Sequence, residues 1–232
     1  MPLTKDIPKP MVPIAGKPLL EWQILLLQKY GIKDIILCTN YLHHIIENYF
    51  QDGKKWNLNI QYSLETEELG TAGAVKLAEP LIGNDDFFVI FGDEILSINL
   101  LQMARYHQKH GAEATVLVHE ANHPLDSDLV EITNNNKITK IFRAKEGDSF
   151  RPINLSCLYV MKASILKKYP LAFSDFGKQI FPKLISEGTH VQAYITEEYI
   201  RDVGTLERLK KVEEDLKAGY IFGVANKEGN YL

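Results

Sequence analysis

MPLTKDIPKPMVPIAGK, residues 1–17, is the stretch from which the rest of the chain is read. A Pro-Lys-Pro-Met run lies in polar, proline-broken sequence, and an apolar segment follows at once. Lys17-Pro18 opens a helix with proline at its first position, where the missing N–H costs nothing. Leu19, Leu20, Ile24, Leu27 and Tyr30 recur at helical spacing, and Gly31 stands where a C-capping glycine belongs. The run at residues 35–39 is short and continuously apolar, the pattern of a strand buried on both faces.

Working outward, the alternation continues. A helical pattern covers residues 43–50 and a weaker strand 60–63. ETEELGTAGAV (65–75) is a polar loop that turns into a helix near Gly73 and runs to about Ile82. The most apolar strand is 87–91, with Gly92-Asp93 directly after it, and a helix at 100–110 leads to a buried strand at 114–120. Helix and strand in turn imply a parallel sheet with helices on both faces. After Glu120 the rhythm changes: segments 129–133 and 137–142 flank Asn134-Asn135-Asn136, a turn tolerant of left-handed backbone, as a small β-hairpin insertion. A strand at 155–161, helices near 163–168 and 176–187, a last clear strand at 191–195 and a charged helix reaching Ala218 complete the pattern.

The 232 residues suit a single α/β domain, and 45% apolar with 24% charged residues are globular values. A formal net charge of −4 without long like-charge runs gives no support for nucleic acid or an anionic membrane as partner. Cys38 and Cys157 lie in apolar segments without Cys-x-x-Cys spacing and are expected to be buried thiols in a reducing compartment. No basic start precedes an apolar leader and no apolar run approaches ~18 residues, so the expected location is cytoplasmic.

One loop and four side chains could carry chemistry. The loop 65–73 offers backbone N–H groups at a helix N-terminus, where an anion or a base edge can be held, although a plain helix cap uses the same residues. It is no Walker loop, and the absence of Gly-x-Gly-x-x-Gly disfavours a dinucleotide site. Asp93 follows a buried strand at its carboxyl end, where open α/β sheets bind ligands. With Asp202 it would supply the two carboxylates that Mg2+ takes beside phosphate oxygens and water, although either alone equally suits an Asx-turn or cap. Lys9, stiffened between two prolines, would present a fixed ammonium to a phosphate. Lys145, after the hairpin, has the same two readings, phosphate contact or solvated loop lysine. The histidines lack a zinc-ligand set, and no nucleophile elbow is present.

PLTKDIPKPMVPIAGKPLL, ELGTAGA, FGDEIL and RDVGTLERL, in this order, resemble the sugar-phosphate nucleotidyltransferase family, from Pro2 to about Leu216. The resemblance implies a Rossmann-like fold, a doubly wound, mostly parallel three-layer α/β/α sheet, and transfer of a nucleotidyl group from an NTP to a sugar 1-phosphate, with release of pyrophosphate and Mg2+ as cofactor. By position it implies that Lys9 contacts the phosphates and, with Asp93, serves catalysis. Glu65, Gly70 and Thr71 would hold the nucleoside, Asp93 and Asp202 the Mg2+, and Lys145 the sugar 1-phosphate. Two departures lie on the sugar side: Arg143-Ala144-Lys145-Glu146 replaces a Glu-Lys-Pro run, and NLSCLYV replaces an Asn-Ala-Gly strand entry.

DSDLVEI and LGTAGA are closest to guanylyltransferases acting on heptose or mannose 1-phosphate, with GTP and D-glycero-D-manno-heptose 1-phosphate favoured. A product of this kind would be a precursor of lipopolysaccharide or cell-surface polysaccharide. A glucose-1-phosphate thymidylyl- or uridylyltransferase is the alternative; a homo-oligomer is left open. Residues 1–218 are expected to be one nucleotidyltransferase domain and 219–232 a tail or linker. In the family a strand and a Gly-x-Gly-x-Arg-Leu loop precede the position of Pro2. Their absence leads to the expectation of weakened NTP binding, an unpaired edge at 35–39 and 87–91, and, as a further alternative, a catalytically impaired sugar-phosphate-binding or regulatory subunit. A receiver-like or flavodoxin-like module would lack the hairpin around 134–136.

Overall fold

A computed structural model of the chain describes residues 6–121 and 124–221; the first five residues and the expected tail from 222 onward lie outside the described residues. The elements begin with β1 (Pro13–Ile14), β2 (Lys17–Pro18), α1 (Leu19–Lys29), β3 (Asp34–Thr39), α2 (His43–Phe50) and β4 (Asn59–Leu64). There follow α3 (Gly70–Leu77), α4 (Glu79–Ile82), β5 (Phe87–Ile90), β6 (Glu94–Ser97), α5 (Leu100–His110) and β7 (Ala114–Glu120). The rest are β8 (Leu129–Ile132), β9 (Ile138–Phe142), β10 (Ile153–Met161), α6 (Phe181–Ser186), β11 (Val191–Ile195), β12 (Tyr199–Asp202) and α7 (Leu206–Lys217). Two compact units result, the first from Met1–Leu64, Phe91–Leu100 and Glu198–Leu232, the second from Glu65–Ile90 and Leu101–Glu197.

In the first unit, Lys9–Met11 form a 3₁₀ turn and β1 pairs with β2. Helix α1 buries Leu19, Trp22 and Ile24 completely, and the Trp22 indole donates to the Ile14 carbonyl at 3.0 Å. β3 pairs in parallel with β4, from Asp34↔Asn59 to Thr39↔Leu64. The expectation of a strand buried on both faces fails here, because β3 alternates: Ile35, Leu37 and Thr39 are buried, while Cys38 faces outward and is exposed. Only Cys157 is a buried thiol. β6 and β12 pair antiparallel, Asp202 opposite Glu94; neither is evident as a strand in the sequence, where 191–195 reads as the last.

The second unit is built on one six-stranded sheet in the order β11-β7-β10-β8-β9, with β5 also on β10. The α/β class is as expected, and the ladders are mixed. β11 runs parallel to β7, while β10 runs antiparallel to β7, β8 and β5. β10 is nine residues long, so its start meets β8 at Asn154↔Leu129 and its end meets β5 from Leu158↔Ile90 to Met161↔Phe87. Tyr159, Phe176 and Phe181 pack in a ring cluster behind it, with centroids 5.1–5.4 Å apart. The hairpin at 134–136 forms with Asn136 left-handed, φ 62°, which disposes of the hairpin-free modules. Its tip lies on the β11 edge, where the Ala193 N–H donates to the Asn136 carbonyl at 2.8 Å and the Gln192 amide to the Asn135 carbonyl at 2.7 Å. Among the described residues no helix is long and apolar enough to cross a membrane.

Candidate active site

Within the first unit Lys9 pairs with Asp93, and strand pairing brings the backbone of Asp202 to within one residue of Asp93. Proline fixes Pro8 in extended backbone (φ −65°, ψ 147°), and the turn that follows carries Lys9 and Pro10. The ring of Pro10 lies against Gly92, where an added Cβ would approach the ring to 3.0 Å. That contact seats the turn beside Asp93, and the Lys9 ammonium stands 3.7 Å from the Asp93 carboxylate. From the other side, Gln23 of α1 reaches the same turn. Its amide nitrogen donates to the Phe91 and Glu94 carbonyls, both at 2.7 Å, bracketing Gly92-Asp93. Gln23 is buried at 4% exposure, a polar group inside an apolar helix, and its two bonds account for it.

Asp202 arrives by strand pairing. The rung Asp202↔Glu94 is followed by a bond from the Val203 N–H to the Asp93 carbonyl at 3.2 Å, so the two aspartates sit one residue apart across a single ladder. The Asp202 carboxylate folds back over Gly204, whose N–H donates to Oδ1 at 2.9 Å. A Cβ on Gly204 would lie 2.9 Å from that same oxygen, so a side chain here would push the carboxylate aside. Thr205 caps α7 by accepting from the Arg208 N–H, and the Arg208 side chain turns back to Asp202, its Nη1 2.7 Å from both carboxylate oxygens.

Further along α7, Asp215 is buried at 4% exposure and accepts from the Tyr199 hydroxyl at 2.8 Å and Lys211 at 2.9 Å. Burial raises the Asp215 carboxyl, but these donors outweigh it and hold its pKa below the ordinary value. Helix α7 thus grips β12 at Tyr199 and at Asp202. The donor set of Asp93 and Asp202 is oxygen only, which suits a hard cation. Among the described residues no group of three or more His, Cys, Asp or Glu could hold a metal, so phosphate oxygens and water would complete the shell.

The remaining sequence-derived positions belong to the second unit. The Glu65 carboxylate accepts from the Leu69 N–H at 3.1 Å. Burial pushes its pKa up against the lowering effect of that N–H, and neighbouring Glu68 adds to the rise. Gly70 is left-handed (φ 70°), and its missing side chain lets the Ser174 carbonyl approach to where a Cβ would meet it at 2.7 Å. That carbonyl accepts from the Ala72 and Gly73 N–H groups, and Asp175 accepts from the Thr71 N–H at 3.4 Å and hydroxyl at 3.2 Å. The Thr71, Ala72 and Gly73 donors in the first turn of α3 are therefore taken up by residues 174 and 175, which favours the helix-cap alternative for this loop. Lys145 follows β9 in a turn of its own. It is exposed, and its N–H donates to Asp148 at 2.7 Å in a turn whose neighbour Arg143 is anchored on Asp128 at 2.7 Å. Sequence reading missed Gln23, Arg208 and Asp175. A glutamine amid LLEWQILLL was the available sign of the first, and Thr205 with Arg208 three residues on, a helix start, of the second.

The nucleotidyl transferase family model matches residues 1–219. A mannose-1-phosphate guanyltransferase of Hypocrea jecorina is 32% identical over 212 residues, covering 88% of this chain and 57% of its own length. The chain thus spans little more than half the length of the curated relatives it matches. The crystal structure of HddC from Yersinia pseudotuberculosis superposes with a TM-score of 0.79 at 27% identity over 91% of both chains. The same protein complexed with GMP-PN gives 0.78 at the same identity and coverage. With the motifs ordered along 219 matched residues, the chain belongs to the nucleotidyl transferase family.

Proposed function

We propose that the chain transfers GMP from GTP to a sugar 1-phosphate of the heptose or mannose type, giving a GDP-sugar and pyrophosphate. The observation that carries this is the Lys9 ammonium 3.7 Å from Asp93, with Asp202 one residue away across the same ladder. In the reaction a phosphate oxygen of the sugar 1-phosphate attacks the α-phosphorus of GTP. A new P–O bond forms as the α–β bridging bond breaks, and pyrophosphate carries away the electron pair. Lys9 offsets charge growing on the α-phosphoryl oxygens, a fixed cation at the place where charge develops. Asp93 and Asp202 would hold a Mg2+ ion, which when bound neutralises phosphate charge. Gln23 keeps the Asp93 turn in place for both tasks.

Glu65, Gly70 and Thr71 are assigned to the nucleoside and Lys145 to the sugar phosphate by their motif positions. The names of the guanyltransferase relatives and the GMP-PN complex support guanine over uracil or thymine. A reaction fed by GTP fits a cytoplasmic setting. The test is pyrophosphate release from GTP, ATP, UTP and dTTP, each with mannose, heptose and glucose 1-phosphates and Mg2+. GTP with mannose or heptose 1-phosphate should give the highest kcat/KM. Preference for UTP or dTTP would overturn the guanylyl assignment, and no turnover with any pair would overturn the activity.

A further inference from the structure

We infer that Arg208 is a built-in counter-cation of Asp202, which a divalent ion must displace, so that this arginine sets the metal affinity of the site. The inference rests on the reading of Asp202 as a cation ligand and goes beyond it. Arg208 does not meet the carboxylate as a fork, one nitrogen per oxygen. Its single Nη1 lies 2.7 Å from both Oδ1 and Oδ2, in the position that a bidentate cation takes. The Asp93 carboxylate is held more loosely, by Lys9 at 3.7 Å.

The two aspartates therefore differ: Asp93 is open to an ion, whereas Asp202 engages fully only after Arg208 withdraws. The Arg208 and Asp202 side chains are 38% and 41% exposed, so an ion from water reaches the pair and the guanidinium has water to retreat into. When Arg208 leaves, Asp202 keeps its aim, because the Gly204 N–H still donates to Oδ1 at 2.9 Å. Removing the arginine then removes a competitor while leaving the ligand in position.

The experiment is a titration of the full chain with Mn2+ alone, reading free Mn2+ by electron paramagnetic resonance, with urea unfolding run beside it. Arg208→Gln should bind Mn2+ about fivefold tighter, the share withheld by a half-exposed charge-assisted pair. Asp202→Asn should bind it weakly, and adding Arg208→Gln to Asp202→Asn should change nothing further. Arg208→Lys, which retains a donor but cannot bridge both oxygens rigidly, should lie between wild type and Arg208→Gln, and it serves if the glutamine variant fails to fold. Equal or weaker Mn2+ binding by folded Arg208 variants, with Asp202→Asn still impaired, would overturn the counter-cation role alone. Undiminished binding by Asp202→Asn would overturn it together with the assignment of Asp202 as a ligand.

Discussion

Replacing Gln23 by methionine isolates the two hydrogen bonds that bracket the Asp93 turn, since the side chains have similar volume. The wild-type amide makes two 2.7 Å bonds to the Phe91 and Glu94 carbonyls from a position only 4% exposed. Each such bond contributes about 1 kcal/mol net, so Gln23→Met should cost about 2 kcal/mol. The carbonyls lie in half-buried residues and partly rehydrate, which keeps the cost at that level and below the full penalty of an orphaned group. In a chain of this size about 2 kcal/mol lowers Tm by roughly 4–8 °C. Trp22 and Trp56 are the chain's two tryptophans and both lie in the first unit, so their fluorescence in urea reports on the unit that holds the turn. The midpoint should fall with the slope unchanged. Because the turn carries Asp93, kcat for pyrophosphate release should also fall roughly tenfold or more, as positioning effects do. An unchanged midpoint would refute the energetic reasoning, and a lowered midpoint with unchanged kcat would refute the link from Gln23 to Asp93.

Lys9→Ala should lower kcat by about 10²-fold or more while changing stability by no more than about 0.5 kcal/mol, since its ion pair with Asp93 is exposed; steady-state kinetics with urea unfolding checks both. Asp175→Ala removes the acceptor of the Thr71 N–H and hydroxyl and should cost about 1 kcal/mol, with a raised KM for GTP if that loop holds the nucleoside. Buried His107, bonded to Thr115 at 2.7 Å, has its pKa lowered first by burial; Asp86 at 3.6 Å opposes this, and Lys162 and His190 add to it. The folded chain thus keeps His107 neutral, and the unfolded chain takes up the proton first as pH falls through the ordinary value of 6.5. Stability should therefore drop on acidification from that point down to the folded-state pKa, by at most about 1.4 kcal/mol per pH unit for this group, and His107→Gln should flatten the curve.

Elements whose signal is local were legible in the sequence. α5 and β7 match the expected bounds because an amphipathic repeat and a run of apolar residues are self-contained. β6 and β12 escaped because EILS and YIRD are short and mixed, and they become strands only by pairing with each other across about 100 residues. The reading of residues 35–39 erred in the same way: a continuous apolar run does not say which faces are covered, and Cys38 is exposed. Lys9, Asp93 and Asp202 were singled out by motif order, and the ion pair of Lys9 with Asp93 and the rung Asp202↔Glu94 are contacts that no local pattern encodes. The occupation of α3's first-turn donors by Ser174 and Asp175 depends on a contact 104 residues away in sequence, which no local pattern encodes. Nor did composition reveal the two-unit organisation, since each unit draws on separated segments of chain.

The most direct measurement is Mg2+-dependent pyrophosphate release from GTP and mannose or heptose 1-phosphate, comparing the wild-type chain with Asp93→Asn and Asp202→Asn. Wild-type turnover that chelation abolishes, reduced at least about 10²-fold in both variants at wild-type stability, is the predicted result. Undiminished turnover in either variant would contradict the two-aspartate site.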